Sequence, residues 1–150
     1  MSAFVTDFPS IELSQRANNS GDVILLPHIG ASTKEAEVNC AVMAAKQVVD
    51  FLKNGNIVNS VNFPRIQLSR STDHRLIVIN KNEPGMIGKI AEFIANKKLN
   101  ISDMVNKSRD DIAINLIDID SEPPKELIES LKRIDHVLSC LLYTSPSPRD

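Results

Sequence analysis

Arg75-Leu76-Ile77-Val78-Ile79-Asn80-Lys81-Asn82-Glu83-Pro84-Gly85-Met86-Ile87-Gly88 is the stretch whose reading decides how this chain folds. Its first half is apolar, and Ile77, Val78 and Ile79 are β-branched, with the stiff χ1 that suits a pleated strand. Two asparagines and a Pro-Gly end that run. Pro84 fits the first turn of a helix, where its missing N–H is not needed. Met86, Ile87, Ile90, Phe93 and Ile94 then recur at helical spacing and mark one apolar face. Asn80 and Asn82 therefore fall where a strand gives way to a helix N-terminus. The free N–H groups of such a terminus favour an anion such as a carboxylate.

Downstream the pattern continues. Leu99–Val105 reads as a second strand, Ser108–Asp111 as a tight turn and Ile112–Ile119 as a third strand. Glu122-Pro123-Pro124 opens a helix carrying Leu127, Ile128, Leu131 and Ile134 on one face, and Val137–Leu142 is a fourth strand. The order over 74–143 is β-α-β-β-α-β, a ferredoxin-like α+β unit with both helices on one face of an antiparallel sheet. A unit of about 70 residues has little core of its own, so the other sheet face or an edge is expected to meet a second copy. Residues 144–150, rich in Ser and Pro, have the composition of a disordered or artefactual tail.

Upstream, residues 1–22 are short of self-sufficient structure: Ala3–Thr6 suits a brief strand, and Pro9 and then Asn18–Asp22 read as loop and turn. Val23-Ile24-Leu25-Leu26 is apolar without alternation, as in a parallel strand buried on both faces. Ser32-x-x-Glu35 has capping-box spacing and opens a long helix. Ala36, Cys40, Met43, Ala44, Gln47, Val48, Phe51 and Leu52 mark its expected buried side, and Gly55 its stop. Residues 1–55 thus read as an α/β fragment, a parallel-type strand and a long helix without the partners that would complete their sheet. Residues 56–73 read as a linker.

Composition narrows the function classes. A net charge of −2 and 4% aromatic residues give no electrostatic or stacking case for nucleic acid. No apolar run is long enough to span a membrane, and no leader pattern opens the chain. Cys40 and Cys140 are isolated and lack metal spacing; each is expected as a buried, reduced thiol of a cytoplasmic protein. The five glycines form no G-x-G-x-x-G. Asp118 and Asp120 read as solvated acids at a strand end rather than as metal ligands. Taken alone, Asn80, Asn82 and Asn100 are turn and strand-end residues, the commonest use of Asn, and His28 is a loop residue.

Three segments in order raise that reading. Leu26-Pro27-His28-Ile29-Gly30-Ala31-Ser32-Thr33 resembles the active-site histidine segment of D-2-hydroxyacid dehydrogenases. Asn59-Ser60-Val61-Asn62-Phe63-Pro64 resembles the segment after the returning helix in the 3-phosphoglycerate-oxidising branch of that family. Asn80–Gly85 followed by Leu99-Asn100-Ile101 resembles the C-terminal ACT domain of the same branch. The resemblance implies that residues 1–55 are the end of a Rossmann-type nucleotide-binding domain with its exit helix, in an NAD-dependent enzyme where His28 is the acid/base on the substrate C2 hydroxyl. Imidazole suits that task because its ordinary titration lies near neutral pH. Glu12 would hold the imidazole, and Asp7, His28, Ile29, Gly30 and Ala31 would touch the cofactor. The arginine that orients the substrate carboxylate would lie upstream of residue 1, so this chain alone is expected to be inactive. The resemblance further implies L-serine as an effector at Asn80, Asn82 and Asn100, between ACT domains of a homo-oligomer. The competing readings are a free-standing amino-acid-binding ACT module and an oligomerisation domain without catalysis.

Overall fold

The computed structural model describes residues 3–144, which fall into two units dividing between Met43 and Ala44. In the first, β1 (Phe4–Thr6) and β2 (Val23–Leu25) pair in parallel. Between them, where no self-sufficient element was expected, lies a helix, α1 (Ile11–Ser20), which takes in Asn18–Ser20 of the expected turn. Its signals are local. The Ser10 hydroxyl accepts from Leu13 N at 3.1 Å, and Gly21 ends the helix in the left-handed region at φ 61°. Few of its residues are apolar, which is why periodicity does not reveal it. Val23 is buried, but Phe4, Val5 and Ile24 stay exposed, so both faces of this strand pair are largely open.

α2 (Lys34–Asn54) starts one residue later than the capping box suggests, with Thr33 Oγ1 accepting from Ala36 N at 3.1 Å. It buries no residue fully; Val38, Val42, Met43, Val48, Val49 and Leu52 are exposed. Cys40 on this helix is likewise exposed, against the expectation of a buried thiol, while Cys140 is buried.

The second unit contains the ferredoxin-like fold. Its elements are β3 (His74–Lys81), α3 (Met86–Asn96), β4 (Ile101–Arg109), β5 (Ile112–Ile119), α4 (Glu126–Lys132) and β6 (Val137–Thr144). The sheet order is β4-β5-β3-β6, antiparallel throughout. Thr144 closes β6 opposite His74, so the expected tail loses its first residue; 145–150 lie outside the described residues. One sheet face, with Leu76, Val78, Ile117, Ile119 and Cys140, packs on Ile90 and Ile94 of α3 and Leu127 and Leu131 of α4. Each such Leu or Ile contributes about 1.5–3 kcal/mol on burial.

The opposite face is covered by the chain itself. Ile57 and Ile66 form an antiparallel bridge and close over Ile77, Ile114 and Leu116, with Phe51 and Phe63 beside them. Residues 56–73 are therefore not a free linker but cover part of this face, leaving an apolar cavity of about 400 Å³ beside Phe51, Ile79 and Leu141. Gly55 explains the path. Its φ is +73°, and a Cβ there would stand 2.0 Å from Ile77 Cδ1, so the chain turns against the sheet only with glycine.

A buried ion pair fixes the same segment. Register places Arg75 opposite Asp118, and both side chains are fully buried. Arg75 Nη2 donates to Asp118 Oδ2 at 2.8 Å, and Arg75 Nη1 donates to Asn54 O and Leu68 O at 2.9 and 2.8 Å. Ser71 N and Oγ each donate to Asp118 Oδ2 at 2.9 Å. Asp118 is thus no solvated acid; its parity on β5 is that of Ile114 and Leu116 on the covered face. Asp120 is exposed, as expected.

Candidate functional site

Two groups of predicted residues lie in different units. In the first, Asp7 directly follows β1 and His28 lies three residues beyond β2. Both therefore stand at the carboxyl ends of parallel strands, where open α/β sheets bind their ligands. His28 Nδ1 is 2.9 Å from Asp7 Oδ2, and the Phe8 ring lies 4.4 Å from the imidazole, centroid to centroid. An Nδ1–H donated to Asp7 leaves Nε2 as the nitrogen that can exchange a proton. Glu12 occupies the exposed first turn of α1, where an acid complements the helix dipole. Among the described residues it makes no bond to His28. The structure therefore pairs the histidine with Asp7, the residue expected at the cofactor, rather than with Glu12.

Ile29, Gly30 and Ala31 form an exposed turn after His28. Ile29 N donates to Pro27 O, and Ser32 N to Ile29 O, each at 3.0 Å. Nothing stands within 4 Å of a Cβ built on Gly30, so this turn is open to a neighbour.

In the second unit the three asparagines behave differently. Asn82 is exposed at the end of β3; its N–H donates to Asp111 O at 2.9 Å and its Nδ2 to Asp110 O at 3.1 Å. Asn80 is buried at 2% exposure, with Nδ2 donating to Lys81 O at 2.6 Å and Oδ1 accepting from Asn115 Nδ2 at 2.8 Å. Asn100 is exposed at the other end of the sheet, where its N–H donates to Asp120 Oδ1 at 3.3 Å. The eight residues of β5 separate the two ends by roughly 25 Å at about 3.3 Å per residue. Within one chain, then, Asn82 and Asn100 do not meet.

α3 opens on Gly85, at φ 83°, without a side-chain cap, so its first N–H groups are unclaimed by one. Pro84 lies before the helix rather than in its first turn. At the same corner a cavity of about 370 Å³ is lined by Lys81, Asn82, Glu83, Asp111, Ile112 and Leu138. Among the described residues Lys81, Glu83 and Asp111 form no ion pairs, so the cavity wall carries unpaired charge of both signs. Asn115, fully buried on β5, was missed by the sequence reading; a polar residue inside the apolar run Ile112–Ile119 is its signal.

No protein-family model matches the sequence. The chain is a relative of D-3-phosphoglycerate dehydrogenases. It is 34% identical to that of Haemophilus influenzae over 115 residues, 76% of this chain and 28% of the relative. Identity to the Dictyostelium discoideum enzyme is 34% over 114 residues, and to that of Escherichia coli K12 30% over 125 residues, 81% of this chain and 30% of the relative. The chain thus spans less than a third of the length of these relatives. Among solved structures it is similar to the ACT domain of GTP pyrophosphokinase from Chlorobium tepidum, at 19% identity and TM-score 0.39, covering 46% of this chain and 94% of that one. No helix among the described residues is long and apolar enough to cross a membrane.

Proposed function

We propose that this chain is the C-terminal part of a cytoplasmic D-3-phosphoglycerate dehydrogenase, which oxidises 3-phosphoglycerate to 3-phosphohydroxypyruvate on the way to L-serine. The observation that carries the reading is the sequence relation, which covers a larger share of the chain than either unit alone. In this reading residues 1–55 end the nucleotide-binding domain and residues 74–143 are a regulatory ACT domain. His28 is the acid/base, with Nε2 turned to the substrate hydroxyl and Asp7 holding the ring. The exposed turn Ile29-Gly30-Ala31, beside His28 and Asp7 at the strand ends, fits the nicotinamide end of NAD. That cofactor supplies the hydride acceptor. The chain's own residues would orient it and take up the hydroxyl proton.

The effector part of the reading rests on the corner at Asn82. An amino acid brings an ammonium and a carboxylate, and the cavity there offers Glu83 and Asp111 to one and Lys81 to the other. An uncapped helix start lies alongside. Asn100 would reach the same L-serine from a second copy, since it cannot do so within one chain. The outer strands β4 and β6 leave edges at which a second copy can pair. His28→Asn in the full-length enzyme tests the catalytic part. General acid–base groups contribute about 10²–10⁴-fold, and kcat should fall by that order; a near-normal kcat would make His28 structural.

A further inference from the structure

Asn54-Gly55 is the one Asn-Gly pair of the chain, and it falls where α2 ends against the sheet. Such a pair can modify itself. The Gly55 nitrogen loses its proton to solvent and attacks Asn54 Cγ, and Nδ2 leaves as ammonia from the cyclic imide that forms. Water then opens the ring at one carbonyl or the other, so residue 54 becomes an aspartate or an isoaspartate. Nothing is oxidised or reduced. Glycine favours the attack because no side chain shields its nitrogen and its backbone turns freely.

The fold withholds each group that this reaction needs. Gly55 N donates to Phe51 O at 2.7 Å, the bond that closes the helix end, so the nucleophile is engaged. The leaving nitrogen, Asn54 Nδ2, donates to Asp50 Oδ1 at 2.7 Å, and Asn54 O accepts from Arg75 Nη1 at 2.9 Å. Gly55 is buried against Ile77. Ring closure rotates the Asn54–Gly55 peptide, which breaks all three bonds and lifts the turn from the sheet. Segment 56–73 holds that turn down. Ile57 N donates to Ile66 O at 2.8 Å and Ile66 N to Ile57 O at 3.0 Å, over Ile77, and Leu68 N donates to Asn56 Oδ1 at 3.0 Å.

We propose that Asn54-Gly55 is a self-modification site, closed while segment 56–73 is docked and converted when that segment lifts. The product does not fit the place that the asparagine leaves. An aspartate has no amide hydrogen for Asp50 and sets a second carboxylate against it, and like charges there repel. An isoaspartate lengthens the main chain by a carbon just before Gly55, where the packing on Ile77 has no room even for a Cβ. Conversion is therefore a one-way latch: a segment that has opened and been converted no longer docks as before. The opening is local, so the latch works well short of global unfolding.

The test follows conversion of Asn54 by peptide mass spectrometry in the full chain at pH 8, beside a synthetic peptide of the sequence Asp50–Ser60. The native chain should convert at least about tenfold more slowly than the peptide. Ile66→Ala and the milder Ile66→Val loosen the docked segment without touching the reacting pair. Both should speed conversion, Ala more than Val, and Val alone decides the point where the Ala variant fails to fold. Native chain converted in urea and then refolded supplies the second readout. Hydrogen exchange at the Ile57 and Ile66 amides should be about tenfold faster or more in it than in unconverted chain taken through the same refolding. Conversion of the native chain at the peptide's rate, an Ile66→Val rate equal to the native one, or unchanged exchange at Ile57 and Ile66 after conversion would each overturn the proposal.

Discussion

At the scale of the residue, the partner of His28 is the sharpest question. Asp7 at 2.9 Å orients the ring; Glu12 sits on a helix turn away from it. In the full-length enzyme Asp7→Asn should therefore lower kcat by loosening the imidazole, whereas Glu12→Gln should leave kcat near normal. The opposite result would show that Glu12 takes over when the rest of the enzyme is present. Asp118 offers a second residue-scale prediction. Burial alone would raise its carboxyl, but the Arg75 guanidinium and the Ser71 N–H and hydroxyl outweigh this and hold it below the usual carboxylate range. A depressed native value contributes stability above the ordinary carboxylate range and withdraws it as pH falls through the native value. Asp118→Asn leaves Arg75 charged and unpaired in the interior, a loss of about 3–5 kcal/mol in urea unfolding at pH 7. The variant should also lose part of the native chain's decline in stability toward acid. An unchanged urea midpoint would contradict the account. Neither pairing was legible in the sequence, because Asp118 and Arg75 meet across 43 residues and only register brings them opposite.

At the scale of the element, what could be read followed from periodicity. The β-branched runs at 75–79 and 112–119 and the helical face from Met86 to Ile94 carry their own burial, and they form β3, β5 and α3. α1 was illegible because its apolar face is thin and its signals are a serine and a glycine at its ends. The long helix was legible as a helix but not in its burial, since the apolar residues along α2 are largely exposed. The two cysteines report that difference. Cys140 lies in the sheet core, where burial pushes its thiol up to about 12, while Cys40 is exposed on α2. A thiol reagent at pH 8 should label Cys40 within minutes and Cys140 only on unfolding. Labelling of both at similar rates would show that the β6 side of the core opens readily.

At the scale of the whole molecule, the candidate sites were legible as residue types at motif spacing, but their grouping was not. The family resemblance placed Asn80, Asn82 and Asn100 at a site between two ACT domains. The sheet puts Asn100 at the far end from Asn82 and buries Asn80, so within one chain the three do not form one site. The stretch 56–73 looked like a linker because it is polar and lacks periodicity. Two isoleucines, Ile57 and Ile66, suffice to dock it, and they cover part of the sheet face that, like the strand edges, was a candidate for meeting a second copy. The strand edges of β4 and β6 stay unpaired among the described residues, with the corner at Asn82 at one end of the sheet. The central claim is that this corner, completed by a second copy, holds L-serine. Calorimetric titration of the full chain with L-serine tests it directly. The account predicts saturable heat by millimolar serine that is lost when Asn82→Ala and Asn100→Ala are combined; no heat at millimolar serine, or binding untouched by the double substitution, would contradict it.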